Sequence, residues 1–160
     1  MSAVASLPVD PTATALLPGC DFADAFSVTV PQSVEAPAIA AMAFSQPPRW
    51  VEALMETRNA VMGRLGLKTA RLKTGFPVLS SSAEQVFMGL DDGHLDFRAL
   101  VRVDRLSAGG SRITLTTLVR RHNTLGRVYL AAIMPFHKLI VRSMLRRIAR
   151  RLADAPVRPA

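Results

Sequence analysis

Cysteine is almost absent from this sequence of 160 residues, in which Cys20 is the only one. A single thiol cannot form a disulfide within the chain and cannot hold a metal cluster by itself. A domain of this length buries about 68–70% of the surface that its unfolded chain exposes. The chain therefore needs neither disulfides nor a structural metal to hold its core.

Sequence motifs for nucleotide, phosphate and metal chemistry are also missing. The sequence contains no GxxxxGK[ST] loop, no GxGxxG, no HExxH and no GxSxG. Its three histidines, at positions 94, 122 and 137, do not have the spacing of metal ligands. We therefore predict no cofactor and no metal site, and these absences leave open whether the protein is an enzyme.

Long apolar runs are lacking as well. The longest near the C-terminus, Val128–Phe136, has nine residues, whereas a membrane span needs about 20. Residues 1–19 contain no lysine or arginine and no continuous apolar stretch, which is unlike a secretory signal. We expect no transmembrane segment and a cytoplasmic location.

Acidic residues are scarce in the second part of the chain. Residues 1–97 carry six basic and ten acidic side chains, whereas residues 98–160 carry fourteen basic and two acidic ones. The net charge of +8 therefore resides in the C-terminal part. Such a basic region is typical of a solvated arginine-rich face, and contact with nucleic acid or an anionic membrane is a less favoured alternative.

The hydrophobic pattern predicts one strand, two short helices, a run of strands and a long final helix. The first strand covers 22–30, and the helices cover about 33–42 and 47–65. Period-two alternation then predicts further strands, at 76–79, 85–90, 95–103 and 112–121, with turns at Asp91-Asp92-Gly93 and Ala108-Gly109-Gly110. A final amphipathic helix covers about 125–152, and Pro135 should kink or split it.

This order of elements predicts an α+β fold of the helix-grip type. A curved antiparallel sheet with one wet face would bury its other face against the long C-terminal helix. Residues 1–18 are expected to be an irregular lead, residues 19–153 the single domain, and residues 154–160 a tail. A cavity often lies between sheet and helix in such folds.

Several segments together resemble a bacterial family, the domain of unknown function 2867. The segments are DFADAFSVTVP (21–31), PPRWVEALMETRNAVMGRLGLKT (47–69), GLDDGHLDFR (89–98) and TTLVRRHNTLGRVYLAAIMPFHKLIVRSML (116–145). The resemblance covers roughly residues 19 to 150. It implies a fold similar to that of the START and birch-pollen-allergen superfamily, and it implies no catalytic residue.

Polar residues that interrupt apolar stripes are the candidate ligand contacts. Arg58 is central on the apolar stripe of the 47–65 helix, and His137 is central on that of the last helix. Thr117 and Arg121 share the inward parity of the last strand. A buried charge must be paired, so Arg58 meets an internal acid, extends to solvent, or binds a ligand anion.

Two further residues could reach the same space. His122 and Asn123 end the last strand, where the simpler interpretation is that Asn123 shapes the turn or caps the next helix. Tyr129, the only tyrosine, lies one turn into the final helix and either packs or hydrogen-bonds into a cavity.

The favoured function is a binding module for a lipophilic small molecule with an acidic or hydrogen-bonding end. One alternative is an enzyme of the cyclase or hydrolase type, in which His137 or His122 moves a proton. The other is an interaction protein that uses its basic final helix. Ligand identity and oligomeric state are not determined by the sequence.

Overall fold

The computed structural model describes residues 3–44 and 76–154, together with isolated positions 49, 52, 53, 56, 60 and 63. Most of the predicted 47–65 helix, including Arg58, lies outside the described residues. The described elements are β1 Ala5–Leu7, α1 Pro11–Thr14, β2 Phe22–Val30, α2 Ala36–Phe44, β3 Val78–Ser81, β4 Gln85–Asp91, β5 Leu95–Arg105, β6 Ser111–Arg121 and α3 Thr124–Asp154.

The six strands form one antiparallel sheet in the order β1-β2-β6-β5-β4-β3. Two hairpins join β4 to β5 and β5 to β6, as the turn residues predicted. In the second turn, Gly109 and Gly110 have φ values of 88° and 85°, which suit glycine. Strand β2 lies beside the last strand, β6, and thereby ties the start of the domain to its end.

Alternate residues of β2, β4, β5 and β6 form the apolar inner face of the sheet. The C-terminal half of α3 and the short helix α2 cover this face. Fully buried side chains at the centre of this core are Ile39, Val28, Val101, Ile113, Leu145 and Ile148. The predicted α+β helix-grip architecture, a curved antiparallel sheet with a long C-terminal helix, is confirmed.

The N-terminal lead is more regular than the sequence analysis expected. Asp10 caps α1 by accepting a hydrogen bond from the Thr12 backbone N–H (2.9 Å), and Pro11 occupies the first helical turn. Pro11 therefore starts a helical turn, and β1 adds an edge strand beside β2.

The outer face of the sheet is not wet throughout, which corrects a second expectation. The lead packs near it, since the Arg102 guanidinium forms an ion pair with Asp10 at 3.1 Å. Ala13 and Leu17 of the lead are buried, as are Leu100 and Leu118 of the outer face. Because these apolar side chains are buried together with the lead, the sheet has a second, smaller apolar layer.

The long helix is one element with Pro135 inside it, so of the two expected effects, a kink or a split, the split does not occur. Proline removes one backbone donor but leaves the rest of the hydrogen-bond ladder on both sides. The two halves of α3 differ in burial. Its C-terminal half buries Val141, Met144 and Leu145, whereas no residue from 131 to 140 is fully buried.

The start of α3 is pressed against the β4–β5 turn. Asn123 accepts a hydrogen bond from the Gly126 backbone N–H at 2.9 Å and caps the helix. A Cβ atom at Gly126 would lie 2.2 Å from the His94 carbonyl oxygen. Only glycine permits this close approach, which fixes the distance between the start of α3 and the β4–β5 end of the sheet.

Candidate ligand site on the inner face

A histidine–aspartate pair lies on the inner face, between the sheet and α3. The His137 ring Nε2 is 3.2 Å from Asp24 Oδ1, and the two side chains are 16% and 13% exposed. Asp24 belongs to β2 and His137 to the middle of α3, so the pair links the helix to the sheet. The predicted inward direction of His137 is consistent with this contact.

The second carboxylate oxygen of Asp24 is not used in the pair. Asp24 Oδ2 is buried and has no hydrogen-bond partner among the described residues. A buried oxygen without a partner is costly, because folding removes the water molecules that would otherwise donate to it. The position of Asp24 Oδ2 therefore suits a hydrogen-bond donor supplied by a bound molecule or by buried water.

Thr117 adjoins the pair on the same face. It is the direct cross-strand neighbour of Asp24 in the β2–β6 ladder, and it is buried. Side chains at directly opposed positions lie about 4.5–5.5 Å apart at Cβ. Two of the predicted site residues, Thr117 and His137, thus meet at Asp24.

The inner face is more open at this end of the sheet than at the other. Residues near the β5–β6 turn, such as Val30, Val103 and Ile113, are fully buried. Their counterparts near the β4–β5 turn, Phe22 and Phe97, are only half-buried. Val119, which lies between Phe22 and Phe97 in the sheet, is fully buried, whereas residues 131–140 of the overlying α3 include no fully buried residue.

Arg121 and His122, which the sequence analysis assigned to the same site, have carboxylate partners elsewhere. The Arg121 Nε is 2.9 Å from Asp21 Oδ2, at the start of β2. His122 Nε2 is 2.9 Å from Asp96 Oδ2. The structure therefore does not place these two residues with His137 around one ligand.

Asp96 is the centre of a charged cluster at the sheet end. Its side chain is only 3% exposed, and it accepts hydrogen bonds from Arg120 Nε and the His122 ring, both at 2.9 Å. Burial by itself raises the pKa of Asp96, but the hydrogen bonds and charges of His122 and Arg120 outweigh it. The pKa of Asp96 is therefore lowered from its usual value.

Asp96→Asn is expected to lower the free energy of unfolding by about 2 kcal/mol at neutral pH, because it leaves two donors without their carboxylate. Because the pKa of Asp96 is lowered in the folded state, its ionised carboxylate stabilises the protein at any pH above the ordinary carboxyl pKa. This stabilisation is lost as the pH falls through the lowered pKa of the folded state. The difference between wild type and variant should thus shrink below about pH 4. Urea unfolding at several pH values measures it.

Asp104→Asn is the matched control for Asp96→Asn. Asp104 lies on the same strand and face, and its ion pair with Arg102 (3.4 Å) is open to solvent. Its loss should cost at most about 0.5 kcal/mol. Equal losses in the two variants, or an Asp96→Asn deficit that stays constant from neutral to acid pH, would contradict the assignment.

The two remaining predicted ligand contacts are Tyr129 and Arg58. Tyr129 is half-buried on α3, about two turns before His137. Arg58 lies outside the described residues, so its predicted role stays a prediction.

An open groove of about 340 Å³ lies at the opposite end of the sheet, lined by Val34, Ala83, Glu84, Val103, Asp104 and Arg105. That groove contains none of the predicted site residues.

The carboxylates Asp24 and Asp96 are the residues that the sequence analysis missed. Asp24 interrupts the apolar alternation of Phe22, Phe26 and Val28 in the first strand. This is the same signal that singled out His137, and it could have revealed Asp24. Asp96 gave no such signal, because most residues on its face of the strand are charged.

Comparison with family models gives one match. The family described as protein of unknown function (DUF2867) matches residues 16–144. The chain belongs to this family. No curated protein and no solved structure matches the chain. In this DUF2867 member, the matched range contains Asp24, Thr117 and His137, so the candidate site lies within the part that defines the family.

Proposed function

We propose that this DUF2867 domain binds a small, largely apolar molecule that carries a hydrogen-bond donor. The molecule would lie between the inner face of the sheet and the middle of α3. The observation that carries the proposal is the Asp24–His137 pair, whose second carboxylate oxygen, Asp24 Oδ2, is buried with no described partner. An apolar wall with a few fixed polar groups is the usual composition of a small-molecule site.

The charges at the site favour a ligand with a hydrogen-bond donor over a ligand with an acidic group. His137 and Arg121, two of the groups expected to bind an acidic end, each have an aspartate partner. A ligand carboxylate next to Asp24 would place two like charges together in a poorly solvated space. An alcohol or amine group would instead supply the missing donor to Asp24 Oδ2.

Binding has more support than catalysis. The hydrogen bonds that the His122 and His137 rings make within the described residues are to carboxylates. Nucleophilic catalysis would require a hydroxyl or thiol within hydrogen-bond reach of such a ring. The hydrogen bonds described above for these two rings include none to a hydroxyl or thiol.

Two ligands with the same alkyl chain, 1-decanol and decanoate, test the proposal. We expect 1-decanol to raise the melting temperature and to bind in calorimetric titration, and decanoate to do neither. Asp24→Asn should weaken decanol binding by about tenfold or more, because hydrogen bonds to a charged acceptor contribute about 1.5–3 kcal/mol.

Thr117→Val and Thr114→Val form a matched control pair. Both threonines are buried on β6, but Thr117 faces the site and Thr114 lies on the outer face. Only Thr117→Val should weaken decanol binding. If neither ligand stabilises the protein, or if Thr114→Val weakens binding as much as Thr117→Val, the proposed site is wrong. Binding of decanoate in preference to decanol would establish an acid site instead.

A further inference from the structure

The side of α3 that faces away from the sheet has two different halves. From Val128 to Leu139 it is apolar, and three large side chains there are exposed: Val128 (62%), Phe136 (48%) and Leu139 (54%). The exposed residues Ala132 and Pro135 complete this apolar half. Spacings of three and four residues place all five on one side of the helix.

The second half of the same side is basic. Arg142, Arg146 and Arg150 are exposed and recur every fourth residue, so they continue the line of the apolar half. The Arg142 guanidinium lies 5.2 Å from the centre of the Phe26 ring, so Arg146 and Arg150 are the arginines that project freely from this side. The sequence of α3 contains seven basic residues and a single acidic one, Asp154, at its last position. At 1.5 Å per residue the apolar half is about 17 Å long and the basic half about 12 Å.

We propose that this side of α3 docks the protein on an anionic membrane surface. The apolar half would enter the boundary between headgroups and acyl chains, and Arg146 and Arg150 would contact anionic headgroups. An exposed apolar stripe next to a basic one is the composition of helices that lie in the membrane interface. Charge complementarity identifies the occupant, because the basic half attracts an anionic surface and repels a basic one.

The helix docks and does not span the membrane. By length and composition alone, α3 is a candidate membrane span, and it is the one such helix among the described residues. Its C-terminal half, however, packs into the core through Met144, Leu145 and Ile148. A spanning helix would have to leave this core and expose those contacts to lipid.

Two other occupants fit less well. Nucleic acid does not favour exposed aliphatic side chains, and single-strand binding needs aromatic residues interleaved with the basic ones. A second copy of the chain would bury an apolar half only about 17 Å long and about 10 Å wide, whereas a stable dimer needs roughly 800 Å² per partner.

Vesicle flotation with the full chain tests the docking. We expect binding to vesicles of phosphatidylcholine with about 30% phosphatidylserine and none to phosphatidylcholine alone. Binding should decrease as sodium chloride rises from about 50 to 500 mM. Leu139→Ser and Arg146→Glu should each reduce the bound fraction at least about fivefold. Both residues are exposed, so circular dichroism and the melting temperature should stay unchanged.

Arg112→Glu is the matched control for Arg146→Glu. Arg112 is an exposed arginine on the sheet, and its substitution changes the net charge equally. It should leave binding unchanged; an equal loss would show general charge attraction and overturn the proposal. Absence of vesicle binding, or binding indifferent to Leu139→Ser, would overturn it as well.

Two measurements identify a different occupant. A dimer in light scattering that Leu139→Ser dissociates, without vesicle binding, would assign the apolar half to a second copy. Slow alkylation of Leu139→Cys in a Cys20→Ser background, compared with Arg112→Cys, would show that another part of the chain covers it. Because this side of α3 points away from Asp24, these results do not depend on the decanol titration.

Discussion

Leu145→Ala is expected to lower the free energy of unfolding by about 3–4 kcal/mol. Leu145 is 0% exposed and lies where the C-terminal half of α3 meets the sheet and α2. Truncation removes buried apolar surface and leaves a cavity that a closely packed core cannot fully close. Since domains of this size are stable by about 5–15 kcal/mol, a single such change removes a large part of the total.

Leu139→Ala is the control for this first prediction. It makes the same chemical change six residues earlier on the same helix, at a side chain that is more than half exposed. Its cost should stay within about 0.5 kcal/mol. Chemical denaturation of both variants measures the difference. Similar losses would mean that the C-terminal half of α3 does not anchor the helix to the sheet.

Gly110→Ala is expected to cost about 3 kcal/mol or more, from two sources that add. The backbone of Gly110 has φ of 85°, which a residue with a Cβ rarely adopts. A Cβ there would also lie 2.3 Å from the Val30 carbonyl oxygen, which is backbone and cannot rotate away. The β5–β6 turn would have to move off the end of β2.

Gly109→Ala separates the two sources. Gly109 has nearly the same φ, 88°, but a Cβ there would meet nothing within 4 Å. Its substitution should cost only the conformational strain of about 1–2 kcal/mol. Urea denaturation gives both values. Equal costs for the two glycines would show that the turn is free to shift away from β2.

The sheet-forming strands could be predicted because alternation and turn residues are local signals. Strand β2 was predicted over its full observed range, and Ala108-Gly109-Gly110 marked the turn between β5 and β6. The strand and the helical turn within the N-terminal lead were not predicted, because a three-residue strand such as β1 has no periodicity and depends on pairing with β2.

The candidate site was predicted only in part. His137 and Thr117 could be found because each is polar on an apolar stripe. Their meeting at Asp24 could not, since 93 positions separate Asp24 from Thr117 and only the β2–β6 register opposes them. Arg121 and His122 have the right parity or position, but Asp21 and Asp96 hold them at the sheet end.

The sequence by itself determined the α+β class, the strands, the long amphipathic helix and the concentration of positive charge near the C-terminus. These follow from composition and from periods of two and about 3.6, which any stretch of chain displays locally. Only the tertiary structure decided which carboxylate meets each cation and which side of α3 stays exposed. Both depend on strand order and on how the helix lies over the sheet, and these arise from contacts between distant parts of the chain.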